Sequence, residues 1–173
     1  MFSRLLTPRG YGLAGLVGGA LVVLTAPLAL DPAPCLVWNA SASAPIGLWR
    51  IIPGASVSVG DNVLAEPPPA ARRLAAQRHY LPANVPMIKA VAAVTGDTVC
   101  AVGPWIKIND RPVAMRRAAD SRGRKLPWWS GCRRLEEGDV LLLNSALDSF
   151  DGRYFGPVSK AAVIGRAAPL WLP

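Results

Sequence analysis

Histidine is nearly missing from this 173-residue chain, where His79 stands alone. Cysteine is sparse too, at positions 35, 100 and 132. Together these residues cannot furnish a His-rich metal cage or a Cys₄ zinc site, so neither metal nor cofactor is expected. Acids are few: eleven Asp and Glu stand against nineteen Lys and Arg, a net charge of +8. Aromatics make up 7% of the residues and charged groups 17%, while 51% are hydrophobic and the mean hydropathy is +0.28. Such a chain is too apolar to be disordered, and 16 Gly and 17 Pro are too many for a helical bundle. A basic balance of this size ordinarily raises nucleic acid or an anionic membrane surface as a partner.

The apolar residues are concentrated at the amino terminus. From Tyr11 to Leu30 there is no charge, and twenty helical residues span roughly 30 Å, the thickness of a bilayer's hydrocarbon core. Arg4 and Arg9 precede this stretch and Asp31 closes it. Basic flanks stay cytoplasmic, so 1–10 reads as a cytoplasmic amino terminus, 11–30 as a transmembrane anchor and 31–173 as an extracytoplasmic domain. A cleavable signal peptide is the alternative, although its apolar core is usually about 7–15 residues long and ends in a small-x-small site. No Ala-x-Ala exit lies between Pro27 and Pro34.

Residues 31–173 show helical periodicity only over Ala70–Tyr80, after a surface break at Pro67–Pro69. Gly-Asp recurs at Gly60-Asp61, Gly96-Asp97 and Gly138-Asp139, each followed by an apolar run, so each reads as a turn feeding a strand. Further strands are expected at Gly47–Ile52, Met87–Val94, Trp105–Ile108 and Ala162–Leu172, with a hairpin tip at Asn109–Pro112. The domain is therefore expected to be mainly β, a coiled antiparallel sheet.

With one histidine, a Ser-His-Asp triad would have to use His79, in surroundings that mark it equally as a surface or packing residue. A cysteine nucleophile suits an oxidising compartment poorly. Serine served by lysine remains, and two segments invite it: Asn39 to Gly47, rich in small residues, and Met87–Val91, where Lys89 sits inside an apolar strand. Burying an ammonium costs several kcal/mol unless it is paired or neutral, and a neutral amine is a general base. The bland reading puts Lys89 on an exposed strand face, snorkelling to water.

Three boxes, in order, carry a resemblance. Ile88-Lys89-Ala90-Val91 followed by Thr95-Gly96-Asp97-Thr98-Val99 resembles the lysine box of type I signal peptidases, the serine–lysine peptidase family S26. Ser149-Phe150-Asp151-Gly152-Arg153-Tyr154-Phe155-Gly156 resembles that family's Ser-x-Asp-Ser-Arg-Tyr-x-Gly box, and Ile164-Gly165-Arg166-Ala167 its closing segment. Ser43-Ala44-Pro45-Ile46-Gly47-Leu48-Trp49 resembles the serine box of the conjugative transfer branch, the TraF type. The sequence departs from the family where the usual Gly-Asp-Asn reads Leu143-Asn144-Ser145, and where Gly152 replaces a serine.

The resemblance implies a partial barrel of the signal peptidase kind. It makes Ser43 the nucleophile and Lys89 the general base. Ser43 N–H and the Ser41 hydroxyl would be oxyanion donors, with Ser149, Asp151 and Arg153 in support. Asp151 and Arg153, two apart on a strand, would share a face and pair. The implied substrate is a membrane-held prepilin, cleaved or cyclised for conjugative type IV secretion, in the periplasm at the bacterial inner membrane. The lipid bilayer, touched through exposed Trp or Tyr, and other secretion-apparatus proteins are the further partners. A general type I signal peptidase and a non-catalytic, membrane-tethered assembly factor are the competing functions.

Most of the basic excess falls in 116–134, where Arg116, Arg117, Arg122, Arg124, Lys125, Arg133 and Arg134 face a single acid, Asp120, and enclose Trp128 and Trp129. Stacking on nucleic acid, an anionic bilayer surface or a solvated loop would each suit the composition. An extracytoplasmic position argues against nucleic acid, which is not expected as a partner. Cys100 and Cys132 bracket the insert, and a disulfide between them is expected in an oxidising compartment, with Cys35 left beside the membrane.

Overall fold

A computed structural model describes residues 8–30 and 33–173, with side chains described from 12 to 26 and from 33 onward. Two units separate by their internal packing, 1–33 and 34–173. The first holds a 23-residue helix, α1 (Pro8–Leu30). Its described side chains, 12–26, cover about 22 Å at 1.5 Å per residue. Among the described residues no helix is long and apolar enough to cross a membrane. Residues 1–7 and Asp31, to which the cytoplasmic flank and the end of the anchor were assigned, lie outside the described residues.

The second unit is mainly β. Its elements are β1 (Leu36–Asn39), β2 (Gly47–Pro53), β3 (Asn62–Ala65), α2 (Pro69–Gln77), β4 (Met87–Ala93), β5 (Thr98–Val102), β6 (Trp105–Ile108), β7 (Arg111–Met115), β8 (Gly131–Arg134), β9 (Asp139–Leu143), α3 (Gly152–Phe155), β10 (Val158–Ser159) and β11 (Val163–Trp171). All pairings are antiparallel. One sheet runs β1-β2-β11-β3-β4-β9-β10 and a smaller one β7-β6-β5-β8. The larger sheet does not close, since β1 and β10 are its two edges: it is a half-barrel.

The turns follow the sequence closely. Asn109 and Asp110 both take positive φ, 49° and 64°, and form the two-residue tip of the β6–β7 hairpin, while Arg111 and Pro112 already belong to β7. Gly60, Gly96 and Gly138 all have φ between 82° and 94°, so each Gly-Asp is a left-handed turn ahead of a strand. Helix α2 begins at Pro69, where a missing N–H costs nothing in the first turn, and ends three residues before Tyr80.

Three apolar clusters support the sheets. Trp49, Ile51, Leu64, Ile88 and Ala167 pack around the β2–β11–β3–β4 region. Val63, Val91, Val140, Leu142 and Val158 cover β3, β4, β9 and β10, and Val99, Ile106, Leu135 and Leu141 join the small sheet to β9. Strand β4 therefore contributes to clusters on both sides. That is why Met87–Ala93 reads as an apolar run broken only by Lys89.

The basic insert is ordered and folded back on the domain. Asp120 ties it down: its carboxylate accepts from the Tyr80 hydroxyl, from Arg124 Nε at 2.7 Å and from the Arg122 and Arg124 amides, with Arg78 at 3.7 Å. Burial pushes the Asp120 carboxyl up, but the Tyr80 and Arg124 hydrogen bonds outweigh it and hold the group far below the usual carboxylate range. Arg116 is buried, donates to the Gly103 and Trp129 carbonyls and stacks over the Trp128 ring at 4.2 Å. Arg116 and Arg124 are thus drawn into the fold, while Arg117, Arg122, Lys125, Arg133 and Arg134 stay exposed, so the insert is an ordered loop that spends only part of its charge internally. Cys100 and Cys132 are register partners on β5 and β8 and are bonded to each other.

Closing a 32-residue separation, this disulfide should contribute about 3–4 kcal/mol in the chain-entropy model. Cys100→Ser/Cys132→Ser is expected to lower the urea midpoint with little change in secondary structure. Denaturation followed by circular dichroism checks this.

Candidate active site

Ser43 lies in the loop between β1 and β2. The loop is shaped by Asn39, the buried last residue of β1, whose Nδ2 donates to the carbonyls of Ser41, Ala44 and Pro45 at 2.9–3.1 Å. Asn39 Oδ1 accepts from Ser41 N at 3.1 Å. One side chain thus replaces the backbone partners that a loop of small residues lacks. The loop ends at Gly47, φ 148°, where a Cβ would collide with the Trp171 carbonyl oxygen on β11. Sequence reading missed Asn39. Its only signal was a polar residue closing an apolar strand.

Lys89 comes from β4, opposite Val63 of β3, and is 3% exposed. The exposed-face alternative for Lys89 therefore does not apply. Its Nζ is 3.1 Å from Ser43 Oγ and 2.8 Å from Ser149 Oγ. Ser41 Oγ is 3.0 Å from Ser43 Oγ and 3.4 Å from Ser43 N. The four polar groups form a chain from Ser41 to Ser149 through the amine. Ser43, Lys89 and Ser149 open on a cavity of about 510 Å³ walled by α2 (Ala75), Tyr80, the insert (Ala119, Leu126) and Phe150.

Desolvation dominates the electrostatics of Lys89. Burial lowers its pKa, Asp151 pulls it back up, Arg153 lowers it again and Asp148 raises it, with a net value of about 8 against the ordinary 10.5. At pH 7 about one amine in ten is neutral, a far larger share than for a solvated lysine. Such an amine can accept a proton from a hydroxyl at 3.1 Å.

Asp151 and Arg153 are both buried, at 0% and 1% exposure. They pair, with Nε–Oδ1 at 2.8 Å and Nη2–Oδ2 at 3.2 Å. The expected strand geometry is not what brings them together. Asp151 is the N-cap of the short helix α3, accepting from Arg153 N at 3.1 Å, so the pair spans a helical first turn. Asp151 Oδ2 also accepts from Asn144 N, and Arg153 Nη2 donates to the Asn144 carbonyl at 2.6 Å. Neither side chain hydrogen-bonds to Lys89; both fix the segment that delivers Ser149. Gly152 fits because a Cβ would sit 2.7 Å from the Leu142 carbonyl and 2.8 Å from Leu141 Cδ1, which explains the departure from serine there. Phe150 stacks on Tyr154 and meets Tyr80 tilted and Phe155 edge-on, and Trp129 Nε1 donates to the Gly152 carbonyl.

His79, with φ 59°, belongs to the turn after α2, and the hydrogen-bond partners of Ser43 are Ser41 and Lys89 instead. Among the described residues, no three His, Cys, Asp or Glu side chains gather as metal ligands.

The depressed Lys89 pKa sets a pH dependence of stability. The folded chain disfavours the charged amine, so the cost is full below pH 8 and disappears above 10.5. Stability should therefore rise by about 3 kcal/mol across that window, as one proton separates the folded and unfolded forms. Lys89→Met is expected to abolish that rise, as denaturant titrations at pH 7, 9 and 10.5 would reveal. Asp151→Asn strands a buried guanidinium and should cost about 3–5 kcal/mol by the same assay.

The family model for signal peptidase, peptidase S26, matches residues 9–172. A probable conjugal transfer protein TraF of Sinorhizobium fredii is 37% identical over 75% of this chain and 73% of its own. A conjugal transfer protein TraF of Agrobacterium fabrum is 34% identical over 77% and 80% respectively. A plasmid transfer protein TraF of Escherichia coli is 33% identical over 88% and 90%. Among solved structures, a signal peptidase I from Enterococcus faecalis is 19% identical, over 65% of this chain and 97% of that one, with a TM-score of 0.37, too loose a likeness to bear on the site. With the family's pattern running from residue 9 to 172 and relatives above 30% identity over most of their length, the chain belongs to the signal peptidase S26 family.

Proposed function

We propose that the chain is a serine endopeptidase in which Ser43 attacks and Lys89 serves as general base, acting on a precursor required for conjugation. The observation that carries this is the buried amine of Lys89 at 3.1 Å from the Ser43 hydroxyl. In its neutral form the amine has one lone pair and two N–H bonds. The lone pair takes the Ser43 proton while an N–H donates to Ser149, which aims it. Ser43 Oγ adds to the scissile carbonyl, and the proton held by Lys89 passes to the leaving amine. The result is an ester between Ser43 and the upstream part of the substrate. The Ser43 N–H and the Ser41 hydroxyl are the donors assigned to the oxyanion.

Two fates of that ester fit the reading. Attack by water releases an acid. Attack by the substrate's own amino terminus forms an amide, closes a ring and returns the proton to Ser43 through Lys89. Curated relatives bearing conjugal or plasmid transfer names support a substrate of the transfer apparatus, and prepilin of a type IV secretion system is our choice. The charge-free stretch 11–30 is assigned as a single-pass anchor with the catalytic domain on the periplasmic side. Exposed Trp38 and Trp171, in ring contact at 5.8 Å on β1 and β11, are assigned to the lipid surface.

Co-expression with candidate precursors tests the proposal. Ser43→Ala and Lys89→Ala should leave the precursor intact, and Ser41→Ala should slow processing by about 10²–10³. Mass spectrometry separates the two fates, since a cyclic product is lighter than the linear one by one water. Processing of unrelated secreted precursors would point instead to a general signal peptidase. Full function in a Lys89→Gln chain would favour a tethered assembly factor. The rate should climb about tenfold per pH unit below 8 and level off above it, since only the neutral amine is the base.

A further inference from the structure

We propose that Asn144 is a positioning residue for Lys89, its side-chain amide standing in for the strand that leaves at that point. This rests on Lys89 being the base. Strands β4 and β9 are in register at Ala90↔Leu143 and Val91↔Leu142, so the next residue of β9 would lie opposite Lys89. Strand β9 ends at Leu143, however, because the chain must turn off to carry Ser149 and Asp151 into the site. Two backbone groups of β4 face that side: the Ala90 N–H, at the last pair of the ladder with Leu143, and the Ile88 carbonyl, beyond the end of β9. They flank Lys89 in the chain.

Asn144 satisfies both. Its Nδ2 donates to the Ile88 carbonyl at 3.2 Å and its Oδ1 accepts from Ala90 N at 2.9 Å. The first is the bond a continuing antiparallel strand would have made beside residue 89, and the second secures Ala90 where the ladder with Leu143 ends. The backbone of Asn144 is itself fixed, its N–H on Asp151 Oδ2 at 3.0 Å and its carbonyl on Arg153 Nη2. Asn144 is 8% exposed, so water is a poor substitute. One residue therefore ties the buried Asp151–Arg153 pair, which carries Ser149, to the strand that carries Lys89. It fixes the separation between the amine and the hydroxyl that aims it.

Asparagine is required by the pairing: one donor and one acceptor on a short, planar group. Aspartate keeps the acceptor for Ala90 N, loses the donor to Ile88 and adds a negative charge against the backbone that flanks Lys89. The charged and titratable groups already facing Lys89 are Asp151 and Arg153 before and within α3, and Asp148 on the β9–α3 loop. Tyr80, Arg117 and Asp120 line the same cavity from the α2 end and the insert. The partner strand β3 contributes only Val63 opposite, and the Ser43 loop contributes hydroxyls alone.

The test uses the full chain and reads Lys89 directly. Competitive acylation by acetic anhydride across pH 6–11, followed by peptide mass spectrometry, gives the midpoint at which the Lys89 amine becomes reactive. The wild-type midpoint is expected near 8. In Asn144→Asp it should move up by a unit or more, with the acidic limb of kcat/KM moving with it. In Asn144→Ala amide exchange at Ala90 should accelerate at least tenfold, and kcat should fall with little change in KM. Midpoints and Ala90 exchange unchanged in both variants would overturn the inference. The labelling and exchange readouts need no turnover, so a failure of Ser43→Ala to abolish processing would count against the peptidase reading alone. Should Asn144→Ala not fold, the near-isosteric Asn144→Asp decides by its midpoint.

Discussion

Everything distinctive in this domain follows from keeping one amine out of water. Lys89 occupies a strand with apolar clusters on both sides, and at neutral pH its burial costs about 3 kcal/mol. That cost is tolerated because the amine has two hydroxyl partners and is readily neutral. A second expensive element, the buried Asp151–Arg153 pair, is tolerated for a different reason. It is fully hydrogen-bonded to the backbone around it, and it replaces the ladder where β9 gives way to α3. The two elements divide the work: one supplies reactivity, the other holds the segment that aims it.

Gly-Asp turns and apolar runs foretold most strands, because local φ preference and burial act over a few neighbours. Ser43, Lys89 and Ser149 were legible only as ordered boxes, since no local rule shows that residues 46 and 60 positions apart meet. Asn39 and Asn144 were not identified as structural amides. Their role is to substitute for absent backbone partners, and that need arises only once strand ends are placed in space. Asp151 and Arg153 pair as the sequence suggested, but through a helix cap that the preceding strand pattern obscured.

The insert shows why composition misleads. Seven basic residues and two tryptophans suited nucleic acid, an anionic bilayer or a solvated loop equally well by composition alone. In the fold, Arg116 is a buried strut between two carbonyls and a tryptophan ring, while Arg124 and Arg78 turn inward to Asp120. Net charge counts residues without regard to where their hydrogen bonds go. A single acid at the right place converts a basic stretch into a wall of the cleft.

That wall is attached in a particular way. Its base is fixed where β5 and β8 are bonded through Cys100 and Cys132, and its inner edge is fixed at Asp120, while the turn between Asp120 and Arg124 projects from neither β4 nor the Ser43 loop. The donors in that turn, Arg122 and Arg124, hold Asp120 and so fix the wall, while Ser43 and Lys89 are held by a separate loop and strand. The width of the cleft and the reactivity of its floor therefore rest on two separate sets of hydrogen bonds, and loosening the first would widen the cleft while leaving the second intact.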